Sequence, residues 1–408
     1  MARLGRRAAL GLGAALALSA CRGRRRLREE RSLVLLHQPL WGDVAPFGAL
    51  LDEFRRAHPD VRLVARAVPS ASDVLHQYLL TTLEGGGEVD VFVADAIWVP
   101  EFARTGWIAD VSAEFPEREL RRDFVGAAAD TVLFDGRTWA LPWWTDVGVL
   151  YTRTDVTDPP HTFDGLVAAA RRSRVGGYVF QGRQYEGLVC NAYEVIWGFG
   201  GATMDGARIV VDTKEAREAL SFLASLVRDG VSPRAVTSAG EEECRRTFES
   251  GRAALMRNWP YAWAELQRTP LRGRVAMTAV PSRDGSAGHG CLGGWQLAMS
   301  ARVPAWKRPF ATALMRHLSS HAAQETLARV YGRPPSRRAL YENPALPTLA
   351  LLAPIIEHAR PRPVSPWYPR VSDVLQGELS AIVSGIRAPH EALSRAQRQI
   401  DRLAGESA

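Results

Sequence analysis

Apolar positions along this chain alternate between two periods, and the order in which they do so predicts an α/β architecture. Leu33–Leu36 is a short apolar run that reads as a strand. Ala49–Arg56 follows with helical spacing, Leu50, Leu51 and Phe54 sharing one face, closed by His58-Pro59. "VRLVARAV" is a second strand, Val74–Leu83 a second helix ended by three glycines, and "DVFVADAIW" (90–98) a third strand running into a loop. Strand, helix, strand, helix, strand is the grammar of a parallel sheet with crossover helices. Beyond it, "VGVLYTR" and "GYVFQG" read as strands, and Asp164–Arg172 and Tyr185–Trp197 as helices. Lys214–Arg228 is a strong helix, with Asp212 or Thr213 as its cap and Ala219, Leu220, Leu223, Leu226 and Val227 on one face. "RVAMTAVP" and "GGWQLAMS" are strands around a Gly-rich loop, Pro309–Val330 reads as one long helix, and His390–Ala404 closes the chain. At 408 residues a single core is too small, so two lobes are expected. No repeat or long linker separates them, which points to lobes the chain crosses between more than once.

Charge changes the picture only at the N-terminus. Of the formal +7, residues 1–20 hold +3 and residues 21–31 hold +4, so nothing remains for residues 32–408. A neutral body carries no footprint for a phosphate backbone, and no nucleic-acid partner is expected. Three arginines precede the apolar run Ala8–Leu18, then Ser19, Ala20 and Cys21. The run is shorter than the ~20 residues needed to cross a bilayer and has the layout of a cleaved secretory signal. "LSAC" looks like a lipobox, with Cys21 acylated as the mature N-terminus. Residues 21–31 then form a basic tether beside anionic headgroups. The protein is expected to be exported and held by lipid on a bacterial membrane, facing the periplasm or the exterior. Cys190, Cys244 and Cys291 follow, an odd number whose pairing the sequence leaves open.

Motifs for chemistry are scarce. There is no His-Glu-x-x-His, Cys-x-x-Cys, EF-hand loop, Walker A sequence or Gly-x-Ser-x-Gly elbow, so no metal or cofactor is expected. Gly288 to Gly293 matches the dinucleotide spacing but precedes a strand, where a phosphate site needs a helix N-terminus. Asp95, Asp146 and Glu186 lie near aromatics at element ends. Two carboxyls at the right separation hydrolyse a glycoside, but the same set suits sugar binding without reaction. Carboxylates accept hydroxyl hydrogen bonds, and aromatic rings cover the apolar sugar faces. Trp98, Trp107, Trp139, Trp143, Trp144, Trp259, Trp263 and Trp295 are more tryptophans than core filling takes. Other readings stand beside these: Asp95 as a helix cap, Glu186 as a favourable charge at a helix start, Gly294 as mere relief of crowding. In "RNWPYAW" (257–263), Trp259 and Tyr261 are expected to alternate towards a cleft across Pro260, with Trp263 in the core below. Asn258 either bonds ligand or holds the turn.

Six segments together carry a resemblance. "VFVADAIW", "WALPWWTDVGVLYTR", "FQGRQYEGLVCN", "GRAALMRNWPYAW", "LGGWQLAMS" and "ARPRPVSPWYP" occur in family order from about Leu33 to the last helix. The chain resembles the extracytoplasmic solute-binding proteins of ABC sugar importers (maltose-binding-protein-like), in their trehalose/maltose-binding branch. The resemblance implies a periplasmic-binding-protein type II fold: two α/β lobes joined by a multi-segment hinge with the ligand cleft between. It places one lobe at 32–142 plus 292–345 and the other at 143–291 plus 346–408. Carried over by position, the sugar-binding residues are Asp95, Trp144, Asp146, Tyr185, Trp259, Tyr261, Gly294, Trp295 and Arg362. Asp43 and Arg66 match less closely, because "HQPLWGDVAP" departs from the family wording. The implied function is a monomer that captures a disaccharide such as trehalose or maltose. It would hand the sugar to permease subunits driven by a cytoplasmic ATPase, making and breaking no bond. Another oligosaccharide, a glycerol phosphodiester or peptide, or an exported glycoside hydrolase are the alternatives.

Overall fold

The computed structural model describes residues 31–40, 42–69 and 71–405; the signal-like segment, Cys21 and most of the basic tether lie outside them. The first sheet opens with strands β1 (Ser32–His37), β2 (Arg62–Ala67) and β3 (Val91–Asp95). β1 lies between the other two and is parallel to both. The helices α1 (Ala45–Ala57) and α2 (Ser72–Glu84) make the crossovers, and α1 buries Phe47, Leu50, Leu51 and Phe54. The apolar runs therefore form the elements that their periods predict. "DVFVADAIW" stops being a strand at Asp95 and turns through a single 3₁₀ turn, Ala96–Trp98.

Two further strands complete this sheet from far along the chain. β4 (Ala140–Val147) and β9 (Cys291–Met299) form a long antiparallel pair, and β9 also runs antiparallel to β3. The register sets Trp295 opposite both Asp95 and Trp144, and Gly293 opposite Asp146. A bulge falls between Trp295 and Gln296. The second sheet centres on β5 (Val149–Arg153), flanked by antiparallel β7 (Leu255–Asn258) and β8 (Val275–Ala279). β6 (Tyr178–Val179) lies parallel to β7. Finally β10 (Arg360–Pro361) returns to pair with the first residues of β9.

Two separate hydrophobic cores follow from these sheets. One gathers buried residues from Leu33 to Trp144 and from Leu297 to Tyr331; the other runs from Val147 to Cys291 and from Leu340 to Ile400. Trp143 and Trp144, their rings tilted at 49° with centroids 4.2 Å apart, lie in the first core, and Leu340 lies in the second.

The remaining helices cover the second sheet and the far side of the first. They include α3 (Glu186–Gly198), α4 (Lys214–Arg228), α5 (Glu241–Glu249) and the short α6 (Tyr261–Leu266). Thr213 caps α4, its hydroxyl accepting from the Ala216 amide at 3.1 Å. The expected long helix is two, α7 (Arg308–Leu318) and α8 (His321–Tyr331). Ser320 ends the continuity: its hydroxyl accepts from the Ala323 amide, a cap that starts a new helix. α9 (Tyr368–Val383) and α10 (Pro389–Gly405) finish the second lobe. Among the described residues no helix is long and apolar enough to cross a membrane. Cys190, Cys244 and Cys291 are buried free thiols.

Gly148 sits where the chain first passes between cores. A Cβ there would lie 1.7 Å from Glu194 Oε1 and 2.5 Å from Arg257 Nη2. Gly148→Ala is expected to cost about 1–3 kcal/mol by overpacking this buried pair. The measurement is the thermal unfolding midpoint, and an unchanged midpoint would show that the crossing is looser than drawn.

Candidate functional site

Between the two cores lies a cavity of ≈ 310 Å³. It is lined by the carboxyl ends of β3 and β4, the middle of β9, the start of α3, the start of α5 and the turn after β7. Ligands of open α/β sheets bind at that edge, outside the carboxyl ends of the strands. Eight of the eleven sugar-binding candidates border it: Asp95, Asp146, Tyr185, Trp259, Tyr261, Gly294, Trp295 and Arg362.

Arg362 organises the charged floor. One guanidinium nitrogen donates to Glu186 Oε1 at 2.9 Å and another to Asp95 Oδ1 at 2.8 Å, so it ties β3 of the first lobe to α3 of the second. Asp95 also caps the turn after its strand, accepting from the Ile97 amide at 3.3 Å; cap and site are the same side chain. Glu186 takes the Tyr368 hydroxyl at 2.9 Å and the Ser372 hydroxyl as well. Burial holds Glu186 above the ordinary carboxylate range, against the pull of Arg362 and Ser372.

Asp146 is the exception. It is 5 % exposed, and among the described residues its Oδ1 has no hydrogen-bond partner. Burial pushes its pKa up to about 6, with Arg333 the charge that most opposes the rise. Two other groups on the cavity wall are orphaned in the same way, the Tyr185 hydroxyl and the Arg362 Nε. A donor, an acceptor and a hydroxyl that no described residue satisfies are what a polar ligand would complete.

The wall around them is aromatic. Trp259 is half buried, its ring resting on the Arg257 guanidinium at 4.0 Å and its Nε1 donating to Glu241 at 3.3 Å. Asn258 holds the turn: its Oδ1 accepts from the Trp259 amide at 2.8 Å and its Nδ2 donates to the Glu241 carbonyl. Gly293 leaves room for the indole, since a Cβ there would meet its edge at 3.3 Å. Pro260 is helical (φ −57°, ψ −27°), so Trp259 ends the strand side and Tyr261 opens α6. The expected alternation across an extended proline is replaced by a strand-to-helix corner. Trp263, on α6, is half buried against the second core and does not border the cavity. Trp295 stands edge-on to Trp98 at 5.6 Å. Gly294 beside it has φ +138°, and a Cβ would meet the Trp144 carbonyl at 2.9 Å, so crowding and backbone conformation both call for a glycine there.

Three expected residues stand apart. Trp144 is fully buried in the first core and reaches the site only by stacking beneath Arg333. Asp43 is exposed, its Oδ1 accepting from the Ala45 amide where α1 begins and its carbonyl accepting from the Tyr331 hydroxyl. Its carboxylate serves the turn, and Gln38 and Pro39 represent the first loop in the cavity instead. Arg66 points out from the edge strand β2, 3.8 Å from Glu88. Arg183, Arg333 and the run Glu241–Glu243 line the cavity without having been expected. The three acids had a legible signal, a cluster opening a helix after Gly240; Arg333 had none, because its place depends on where α8 stops. Among the described residues no group of three or more His, Cys, Asp or Glu could hold a metal.

Two α/β lobes closing a polar, aromatic-walled cavity define a solute-binding protein of the periplasmic-binding-protein type II fold. The chain belongs to the bacterial extracellular solute-binding protein family, whose description matches residues 39–325. A similar relative is the probable ABC transporter-binding protein of Deinococcus radiodurans, 32% identical over 366 residues, covering 83% of this chain and 86% of that one. Maltose-bound MalE3 of T. maritima is 31% identical, with a TM-score of 0.86 over 91% of this chain and 99% of that one. The GacH receptor of Streptomyces glaucescens shares the fold at 20% identity and a TM-score of 0.81, covering 91% and 98%.

Asp146 gives the site a stability signature. Its pKa is raised on folding from the ordinary 3.8, so its burial penalty is absent below that pH and fully present above about 6. Asp146→Asn is expected to stabilise the ligand-free protein at pH 8, by at most about 3 kcal/mol given ~1.4 kcal/mol per unit. The gain should fade as pH falls from 6 towards 4 in thermal melts. A substitution that destabilises at pH 8 would mean that the carboxylate has a partner after all.

Proposed function

We propose that this protein is the sugar-binding component of an ABC importer, lipid-anchored through Cys21, that captures a disaccharide such as maltose or trehalose between its lobes. The observation that carries the reading is the pairing of the Trp259 and Trp295 rings with the unpartnered Asp146 Oδ1, Tyr185 hydroxyl and Arg362 Nε around one cavity. Flat rings take the apolar faces of a sugar, and the orphaned groups take its hydroxyls. A volume of ≈ 310 Å³ is at the small end for ligand pockets and suits one or two rings rather than a long chain. MalE3 with its bound maltose and the Deinococcus protein named for an ABC transporter support the same assignment. The cores at Leu33–Trp144 plus Leu297–Tyr331 and at Val147–Cys291 plus Leu340–Ile400 are read as the two closing lobes. Ligand that touches both favours the closed form by its greater affinity for it, and that form is what a permease and its ATPase would receive.

The hydrolase alternative loses its chemistry in this cavity. Glycoside hydrolysis takes two carboxyl groups in distinct roles. Asp95 and Glu186 share one guanidinium, and Asp146 Oδ1 has no hydrogen-bond partner among the described residues, an arrangement that favours binding over reaction.

A thermal-shift panel of maltose, trehalose, longer maltodextrins and a glycerol phosphodiester tests the reading. A disaccharide at 100 times its Kd should add about 2.7 kcal/mol of stability, and the sugar recovered from the complex should be intact. Trp259→Ala and Asp146→Ala should each weaken binding roughly 30-fold or more by calorimetry, as loss of a ~2 kcal/mol anchor does, without unfolding the protein. Unchanged affinity in both would remove the site assignment. Cys21→Ser should move the exported protein from the membrane to the soluble fraction; retention on the membrane would remove the lipid anchor.

A further inference from the structure

Arg333 is a buried arginine without the partners that buried arginines have elsewhere in this protein. It is 8 % exposed and borders the cavity. Arg257 donates to Glu194 and Gln181, Arg362 to Asp95 and Glu186, and Arg153 to Asp155. Among the described residues the Arg333 side chain makes no hydrogen bond and no ion pair; it only stacks, 5.2 Å from the Trp144 ring and 5.2 Å from the Tyr261 ring. Those rings come from the first core and from α6 of the second lobe, so the guanidinium is wedged between lobes with its donor edge uncommitted. Its backbone is fixed just past Gly332, the left-handed residue that ends α8.

A guanidinium carries five N–H donors in a planar fork, and on the cavity wall none of them meets an acceptor among the described residues. Asp146, on the wall of the same cavity and within reach of the Arg333 charge, supplies the opposite need: an Oδ1 with no hydrogen-bond partner among the described residues. Resting on the sugar-binding reading above, we infer that Arg333 and Asp146 together clamp one vicinal diol of the ligand, making Arg333 a specificity-determining residue. The two adjacent hydroxyl oxygens accept from the guanidinium edge, and one hydroxyl proton is donated to Asp146 Oδ1. The chemistry selects a neutral polyol over an anion. A carboxylate or phosphate seated on Arg333 would face the Asp146 charge, whereas a diol satisfies donor and acceptor at once. Packed against two rings, the guanidinium loses little freedom when it binds.

Calorimetry on the whole exported chain tests this with maltose, trehalose, their monodeoxy analogues and glucose 1-phosphate as probes. The proteins are the wild type, Arg333→Met and Arg333→Lys. Arg333→Met should weaken the better disaccharide roughly 10- to 100-fold while the thermal midpoint of the ligand-free protein holds or rises. Arg333→Lys keeps the charge between the rings but not the fork, and should recover only part of the loss. One or two adjacent-position deoxy analogues should bind the wild type poorly yet lose nothing further in Arg333→Met. An unchanged Kd in Arg333→Met, or losses that add fully for every analogue, overturns the clamp while leaving the sugar site standing. Tighter binding of glucose 1-phosphate than of any neutral sugar overturns it in favour of an anion site. A wild type that binds none of these probes removes the sugar reading itself, and the clamp with it. Should Arg333→Met fail to fold, the analogue comparison between wild type and Arg333→Lys decides by the same criterion.

Discussion

The buried pair of Glu194 and Arg257 is the interaction on which the site and the crossings both rest. Arg257 is 1 % exposed and Glu194 4 %. Burial disfavours the charged guanidinium, and Glu194 more than offsets that. The carboxylate also accepts from the Cys291 amide at 2.9 Å, fixing the first residue of β9, and its oxygen occupies the space a Cβ at Gly148 would need. The guanidinium in turn lies under the Trp259 ring. One ion pair thus touches both strand crossings and the aromatic platform. Pairs of this kind contribute little net stability when intact but cost about 3–5 kcal/mol when one partner is lost. Their value here is geometric, since they hold three separate elements in one place.

A second division of labour runs through the cavity's charges. Asp95 and Glu186 are anchored by Arg362, and the anchor is structural as much as functional because it joins the lobes. Asp146 and Arg333 have no such anchors and remain available. A fold optimised only for stability would pair them or replace them with apolar residues. Keeping a buried carboxyl with its pKa near 6, and an arginine whose side chain makes no hydrogen bond among the described residues, is a local cost, offset by the two large cores.

Much of this was legible in the sequence because it follows from period and from local chemistry. The α4 stripe and the Thr213 cap reside within one helix, and the parallel βαβ opening follows from consecutive elements. The Ser320 break was not legible, because the apolar spacing carries on from Ala311 to Leu327 and only a hydroxyl cap interrupts it. Burial of aromatics was the other blind point. Trp143-Trp144 looks like a site motif beside Asp146, yet strand alternation is suspended at the bulge and both rings turn into the first core. Asp43, a short acid two residues before a helix start, has its Oδ1 engaged by the turn. Arg333 is a tertiary fact throughout, defined by rings 189 positions before it and 72 before it.

β9 is tied to both cores. Its first residue is held to the second lobe through Glu194, while Trp295 to Met299 pair with β3 in the first sheet. Any rotation between lobes that keeps both attachments has to be absorbed between Leu292 and Gly294. Two of those three residues are glycines, and Gly294 already occupies a conformation that other residues rarely adopt. The partner strand β4 crosses at the same level, with Thr145 opposite Gly294 and Asp146 opposite Gly293. Asp146, whose Oδ1 has no hydrogen-bond partner among the described residues, therefore lies on the strand pair that passes from one core to the other, opposite a glycine.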